Sequence, residues 1–117
     1  MSQHLSIPME HCETMADVRR HIDALDDRIV ALISERSGYV AQAARIKDSA
    51  DQVYDGPRIE FIVSRVRAGA RSFGAPEDVL EATYRAMVDA FIAFEGRTFE
   101  RIRAAQSPET PSAGGAA

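Results

Sequence analysis

The stretch VRRHIDALDDRIVALISERSGYVAQAARIK, residues 18–47, decides how this chain folds. Val18, Ile22, Leu25, Ile29 and Leu32 step by four and three, the spacing of one buried helical face. The same steps then reach Arg36, Val40, Ala43 and Lys47. A cation stripped of its water shell costs several kcal/mol, roughly, even after relaxation, so it seldom enters an apolar seam unpaired. Either Arg36 and Lys47 snorkel to the rim, or something negative comes to them.

Working outward, Thr14 is placed to cap this helix, with Asp17 three residues on as an acidic relative of the capping box. The pattern predicts a helix from there to about Ser49, with Gly38 its one weak point. Ser49 to Gly56 reads as a loop. Pro57 suits the first turn of a second helix, with Asp55 or Gly56 as its cap, running to about Arg71. Ser72 to Ala75 turns the chain. Pro76, Glu77 and Asp78 open a third helix, acidic at its start as the helix dipole favours, which ends near Ala105. No strand alternation and no internal repeat is visible. The expected organisation is a flexible arm at 1–13, a helical domain at 14–105 and a disordered tail at 106–117.

With 117 residues the chain suits one domain with a modest core. Hydrophobic residues at 45% and charged residues at 27% are an ordinary soluble balance. A net charge of −4 disfavours nucleic acid as the main partner, so any basic site must be local. Cys12 is the sole cysteine, which excludes an intrachain disulfide and suits a reducing, cytoplasmic location. No apolar run approaches a membrane span, and no signal-peptide pattern is seen.

A first helix of roughly 35 residues is a rod of about 50 Å, whereas a compact domain of this size is only about 35 Å across. One short and one long helix cannot cover it. An antiparallel second copy can, so an intertwined homodimer is favoured over a single coiled-coil hairpin or a kink at Gly38.

Arg36 and Lys47 lie eleven residues apart, close to three helical turns, and would share a face about 16 Å apart. In the third helix Val88, Ile92, Glu95, Phe99 and Ile102 form a seam with Glu95 at its centre. Glu95 either pairs with a cation as a plain structural ion pair or joins both cations in a polar chamber for a small anion. Arg19 sits about 100° around the first helix from Arg36, so it faces differently in its own subunit, and in an antiparallel dimer it could reach the partner's chamber. Arg58 opens the second helix and would close over one end. Both are otherwise ordinary surface charges. Guanidinium forks read carboxylates, and four cations suggest a ligand with two. His4, His11 and Cys12 make a poor metal set in an unpatterned arm, and no metal or cofactor is expected. His21 reads as a surface residue, and Tyr84, Phe91, Phe94 and Phe99 as core. Tyr39 is open between core and pocket wall. There is no nucleophile motif and no phosphate-cradling glycine loop.

These residues resemble a known family. Met15 to Arg36 is similar to the first helix of the all-helical (AroQ-type) chorismate mutases, whose pattern is met by Arg19, Ile22-Asp23, Leu25-Asp26 and Arg36. Their later lysine is met by Lys47, their loop arginine by Arg58, and their pocket Gln or Glu by Glu95. The likeness spans about residues 14 to 103 and comes nearest to the branch with the isochorismate pyruvate lyases. It implies a three-helix, all-α chain forming an intertwined homodimer with two equivalent sites. Each site would draw Arg36, Lys47, Arg58 and Glu95 from one subunit and Arg19 from the other. The implied activity is isomerisation of chorismate to prephenate, with isochorismate pyruvate lyase as the alternative reaction. Ile59 after Arg58 matches the lyases, where mutases often have Glu. Glu95 matches some mutases, where the lyases have Gln. A helical dimer that only binds a carboxylate metabolite or a partner helix is the non-enzymatic alternative.

Overall fold

A computed structural model describes residues 7–106; the first six residues of the expected arm, with His4, and the tail from 107 lie outside the described residues. The described chain is all-α. Helix α1 spans Met15–Ile46, a single 3-10 turn Ala50–Gln52, α2 Gly56–Phe73 and α3 Glu77–Gln106. None of these helices is long and apolar enough to cross a membrane.

The caps fall where the residue chemistry puts them. The Thr14 hydroxyl accepts the Asp17 backbone N–H at 3.1 Å, and the Asp55 carboxylate accepts that of Arg58 at 3.0 Å. At the end of α2, Gly74 adopts the left-handed conformation (φ 71°) that a side chain would disfavour. Its N–H and that of Ala75 close back on the carbonyls of Ala70 and Arg71, a Schellman-type ending.

One boundary departs from the spacing. α1 stops at Ile46, and Lys47 is its extended C-cap (φ −64°, ψ 144°) rather than a member of the helix. Side chains outcompete the helix here. The Gln52 amide oxygen accepts the N–H groups of Asp48 at 2.7 Å and Ser49 at 3.4 Å. The Arg103 guanidinium donates to the carbonyls of Lys47 and Asp48 at 2.8 and 2.9 Å. Backbone groups that would have continued the ladder are therefore satisfied elsewhere.

α3 is the hub. It packs on α2, on α1 and on the 3-10 turn, whereas α1 and α2 do not pack on each other. Ala44, Val53 and Phe99 form one core cluster, with Ile92 and Ile102 against it, and Val63, Ala70 and Val88 are buried as well. An ion-pair ladder runs down the α2–α3 seam. Arg85 forks onto Glu60 at 3.0 Å twice and reaches Glu81 at 2.8 Å. Arg67 also grips Glu81, and Arg71 forks onto Glu77 at 3.1 and 2.9 Å.

Arg85 holds the Glu60 carboxyl below its ordinary value of 4.5, Arg71 does so for Glu77, and Arg85 with Arg67 for Glu81. A carboxyl depressed by folding contributes stability above its unfolded value and loses it as pH falls through the folded one. The melting temperature should therefore begin to drop as pH descends past 4.5. The ladder faces water, so the effect is modest and shrinks in molar salt. Thermal melts of the parent and of Arg85→Gln across acidic pH check this, the variant showing the shallower fall.

The chain is far from compact. Its radius of gyration is 20.7 Å and its extents are 75 × 36 × 17 Å, against about 13 Å expected for a compact domain of this length. Every residue from 22 to 35 is exposed, including Ile22 and Ile29 at about half their surface and Leu32 at 63%. α1 runs on through Gly38 as one helix, so neither the hairpin nor the kink covers that apolar stripe.

Candidate functional site

Where α1 ends, α2 begins and α3 passes both, the helices enclose a cavity of about 440 Å³. Arg36, Tyr39, Val40 and Ala43 enter it from α1, and Lys47 from the cap. Val53 and Asp55 come from the connecting segment, Arg58, Ile59 and Ile62 from α2, and Val88, Phe91, Ile92 and Glu95 from α3. Four of the five residues singled out by spacing or resemblance thus share one hollow.

Each is held by identifiable chemistry. Glu95 is buried, 7% exposed, and its Oε2 accepts a hydrogen bond from Lys47 Nζ at 2.5 Å. Lys47 reaches it from the non-helical cap, 48 residues away in sequence. Ending the helix at Ile46 does not remove the lysine from the site; it turns the backbone so that the ammonium meets α3. The Arg36 guanidinium lies over the Phe91 ring at 5.0 Å, a cation–π seat for a charge in an apolar seam. Arg58 is exposed at the mouth, its guanidinium 5.2 Å from the Phe61 ring. Its position follows from the Asp55 cap, which fixes the first turn of α2.

Arg19 is not in the cavity. It is exposed, and seventeen residues of helix put it about 25 Å along α1 from Arg36. Tyr39, open between two readings, is a wall residue and 66% exposed. Phe91, expected in the core, is half-buried on the cavity wall with its ring edge-on to Phe94, centroids 6.1 Å apart. Phe99 is core as expected. His11 pairs with Glu13 at 2.9 Å and His21 with Glu10 at 3.2 Å. Asp55 caps α2 as its place in the sequence suggests, and it also lines the cavity. Its place beside Arg58 at a helix start was the available signal.

Three cations and two carboxyls line the hollow. With both carboxyls ionised the surplus is one positive charge. The rest of the wall is mostly aliphatic and aromatic, where charge interactions gain strength from the lowered dielectric. The chemistry of such a lining suits a small anion with an apolar body.

Fold and cavity define an all-α protein with a cationic, partly apolar chamber where its three helices meet. The family model described as chorismate mutase type II matches residues 18–96, most of the chain, and the chain belongs to that family. A curated relative, the chorismate mutase of Methanocaldococcus jannaschii, is 26% identical over 92 residues. The alignment covers 78% of this chain and 93% of that protein.

Proposed function

We propose that the protein is a chorismate mutase, rearranging chorismate to prephenate on the route to aromatic amino acids. The observation that carries this reading is the convergence of Arg36, Lys47, Arg58 and Glu95 on one cavity in a chain of this family. The reaction breaks the ether C–O bond as a C–C bond forms, in one cyclic shift of electrons, and no proton is transferred. The site has to fold the enolpyruvyl arm over the ring and stabilise the negative charge that grows on the departing ether oxygen. Arg36, with Arg19 from a partner subunit, clamps the carboxylates; Arg58 closes the mouth; Lys47 donates to the ether oxygen. Pre-arranged reactants and preorganised donors together supply ~8 kcal/mol, about a millionfold.

A homodimer completes this site. The uncovered stripe on α1 supports a second copy as its cover, and Arg19 lies too far from its own chamber to serve there. A fourth cation raises the surplus to two positive charges, matching a dicarboxylate.

Glu95 aims the ammonium: its Oε2 accepts from Lys47 Nζ at 2.5 Å, from the buried side of the chamber.

Ile59 on the cavity wall favours a second reading, elimination of pyruvate from isochorismate to leave salicylate, because an aliphatic offers no acceptor to a ring hydroxyl. Purified protein given chorismate and isochorismate in parallel decides between them. Prephenate from chorismate supports the mutase; salicylate with pyruvate from isochorismate supports the lyase. Turnover of neither leaves a helical dimer that binds a carboxylate metabolite or a partner helix.

A further inference from the structure

Arg103 sits near the end of α3, beyond the segment the family model matches. Its guanidinium stacks 4.9 Å over the ring of core residue Phe99. One terminal nitrogen donates to two consecutive carbonyls, Lys47 at 2.8 Å and Asp48 at 2.9 Å. Those carbonyls belong to the segment where α1 breaks into its extended cap. A lysine that must deliver a charge from a non-helical residue gets its aim from its backbone, and here that backbone is tied to α3. Glu95, the residue that meets the lysine's other end, stands two turns earlier on the same helix. Lys47 is thus held by α3 at both ends, by Arg103 at its carbonyl and by Glu95 at its ammonium.

We propose that Arg103 is a positioning residue for Lys47: by fastening the Lys47–Asp48 carbonyls to the Phe99–Arg103 face of α3, it sets where the ammonium stands in the chamber. The inference rests on Lys47 serving the reaction. Without the fork the cap is free to shift or to rewind into α1, and either carries the ammonium by an ångström or more. Misplacement on that scale costs roughly tenfold to a hundredfold in rate. The fork does not touch the chamber, so substrate affinity changes less than turnover.

The test is a double-mutant cycle on the full-length protein with chorismate, using Arg103→Met and Lys47→Ala singly and together, with Arg103→Lys as the conservative variant. Expected is a turnover loss of roughly tenfold or more in Arg103→Met, with KM altered less. Arg103→Lys, which keeps a cationic donor, recovers part of it. In the Lys47→Ala background Arg103→Met costs little more, because the group it positions is gone. Amide exchange at residues 47–49 quickens in Arg103→Met while α2 keeps its protection, a local signature that general destabilisation lacks. Should Arg103→Met not fold, the cycle runs on Arg103→Lys. Parental turnover in the Arg103 variant, or a loss that adds in full to that of Lys47→Ala, overturns the proposal. Unchanged turnover in Lys47→Ala alone would instead overturn the reading on which it rests.

Discussion

Lys47→Ala is expected to lower turnover of chorismate at least a hundredfold, about 2.7 kcal/mol of transition-state stabilisation, while leaving the helical content intact. The fold tolerates the change because Lys47 caps α1 through its backbone, its N–H bonded to the Ala43 carbonyl at 3.0 Å. Its side chain is 27% exposed and fills no core. The truncation does strand the Glu95 carboxyl, which is only 9% exposed. A buried charge robbed of its partner is destabilising, so some loss of melting temperature accompanies the variant. Lys47→Ala with Glu95→Gln separates the two effects. Neutralising the stranded carboxyl should return stability without returning the rate. Circular dichroism, thermal melts and steady-state turnover on the three proteins read this out. Turnover in Lys47→Ala within about threefold of the parent would remove the ammonium from the chemistry.

The helices and most of the cavity were legible because both are written in local chemistry. Thr14, Asp55 and Gly74 are cap residues whose preferences act within four positions, and the helices begin and end close to them. Arg36, Lys47 and Glu95 stood out because each breaks an apolar period, and a break in a period is visible without knowing what lies opposite. Non-local contacts were invisible to the same reasoning. The spacing carries α1 to Ser49, but Arg103, from the far end of the chain, draws off the carbonyls that the last turn would have used. No pattern near residue 47 announces that competitor. Phe91 departs from the expected core for a related reason. Its spacing marks a buried face, and only the seat it offers to Arg36 turns it from core into cavity wall. For Arg58 and Arg19 helix geometry leaves an ordinary surface charge equally open, and the family likeness is what adds weight to a place in the site.

Two defective proteins are expected to repair one another. Arg19→Ala should cripple the enzyme as Lys47→Ala does, although Arg19 lies about 25 Å from Arg36 along its own helix, beyond the reach of one side chain. If each chamber takes Lys47 from one subunit and Arg19 from the other, a hybrid dimer of the two variants holds one chamber with both lesions and one with neither. Equal amounts unfolded together and refolded pair at random, so half the dimers are hybrids with one intact chamber of two. The mixture should recover about a quarter of parental activity from two nearly inactive stocks. The refolding step is included because, if subunits wind around each other through the exposed Ile22, Leu25, Ile29 and Leu32 face, they exchange slowly. An Arg19 that acted within its own subunit would give a hybrid with one lesion in each chamber and no recovery at any mixing ratio. An Arg19 with no part in catalysis would leave Arg19→Ala active from the start. The regained quarter therefore reads out, in a single number, a dimer whose chambers each draw Lys47 from one subunit and Arg19 from the other.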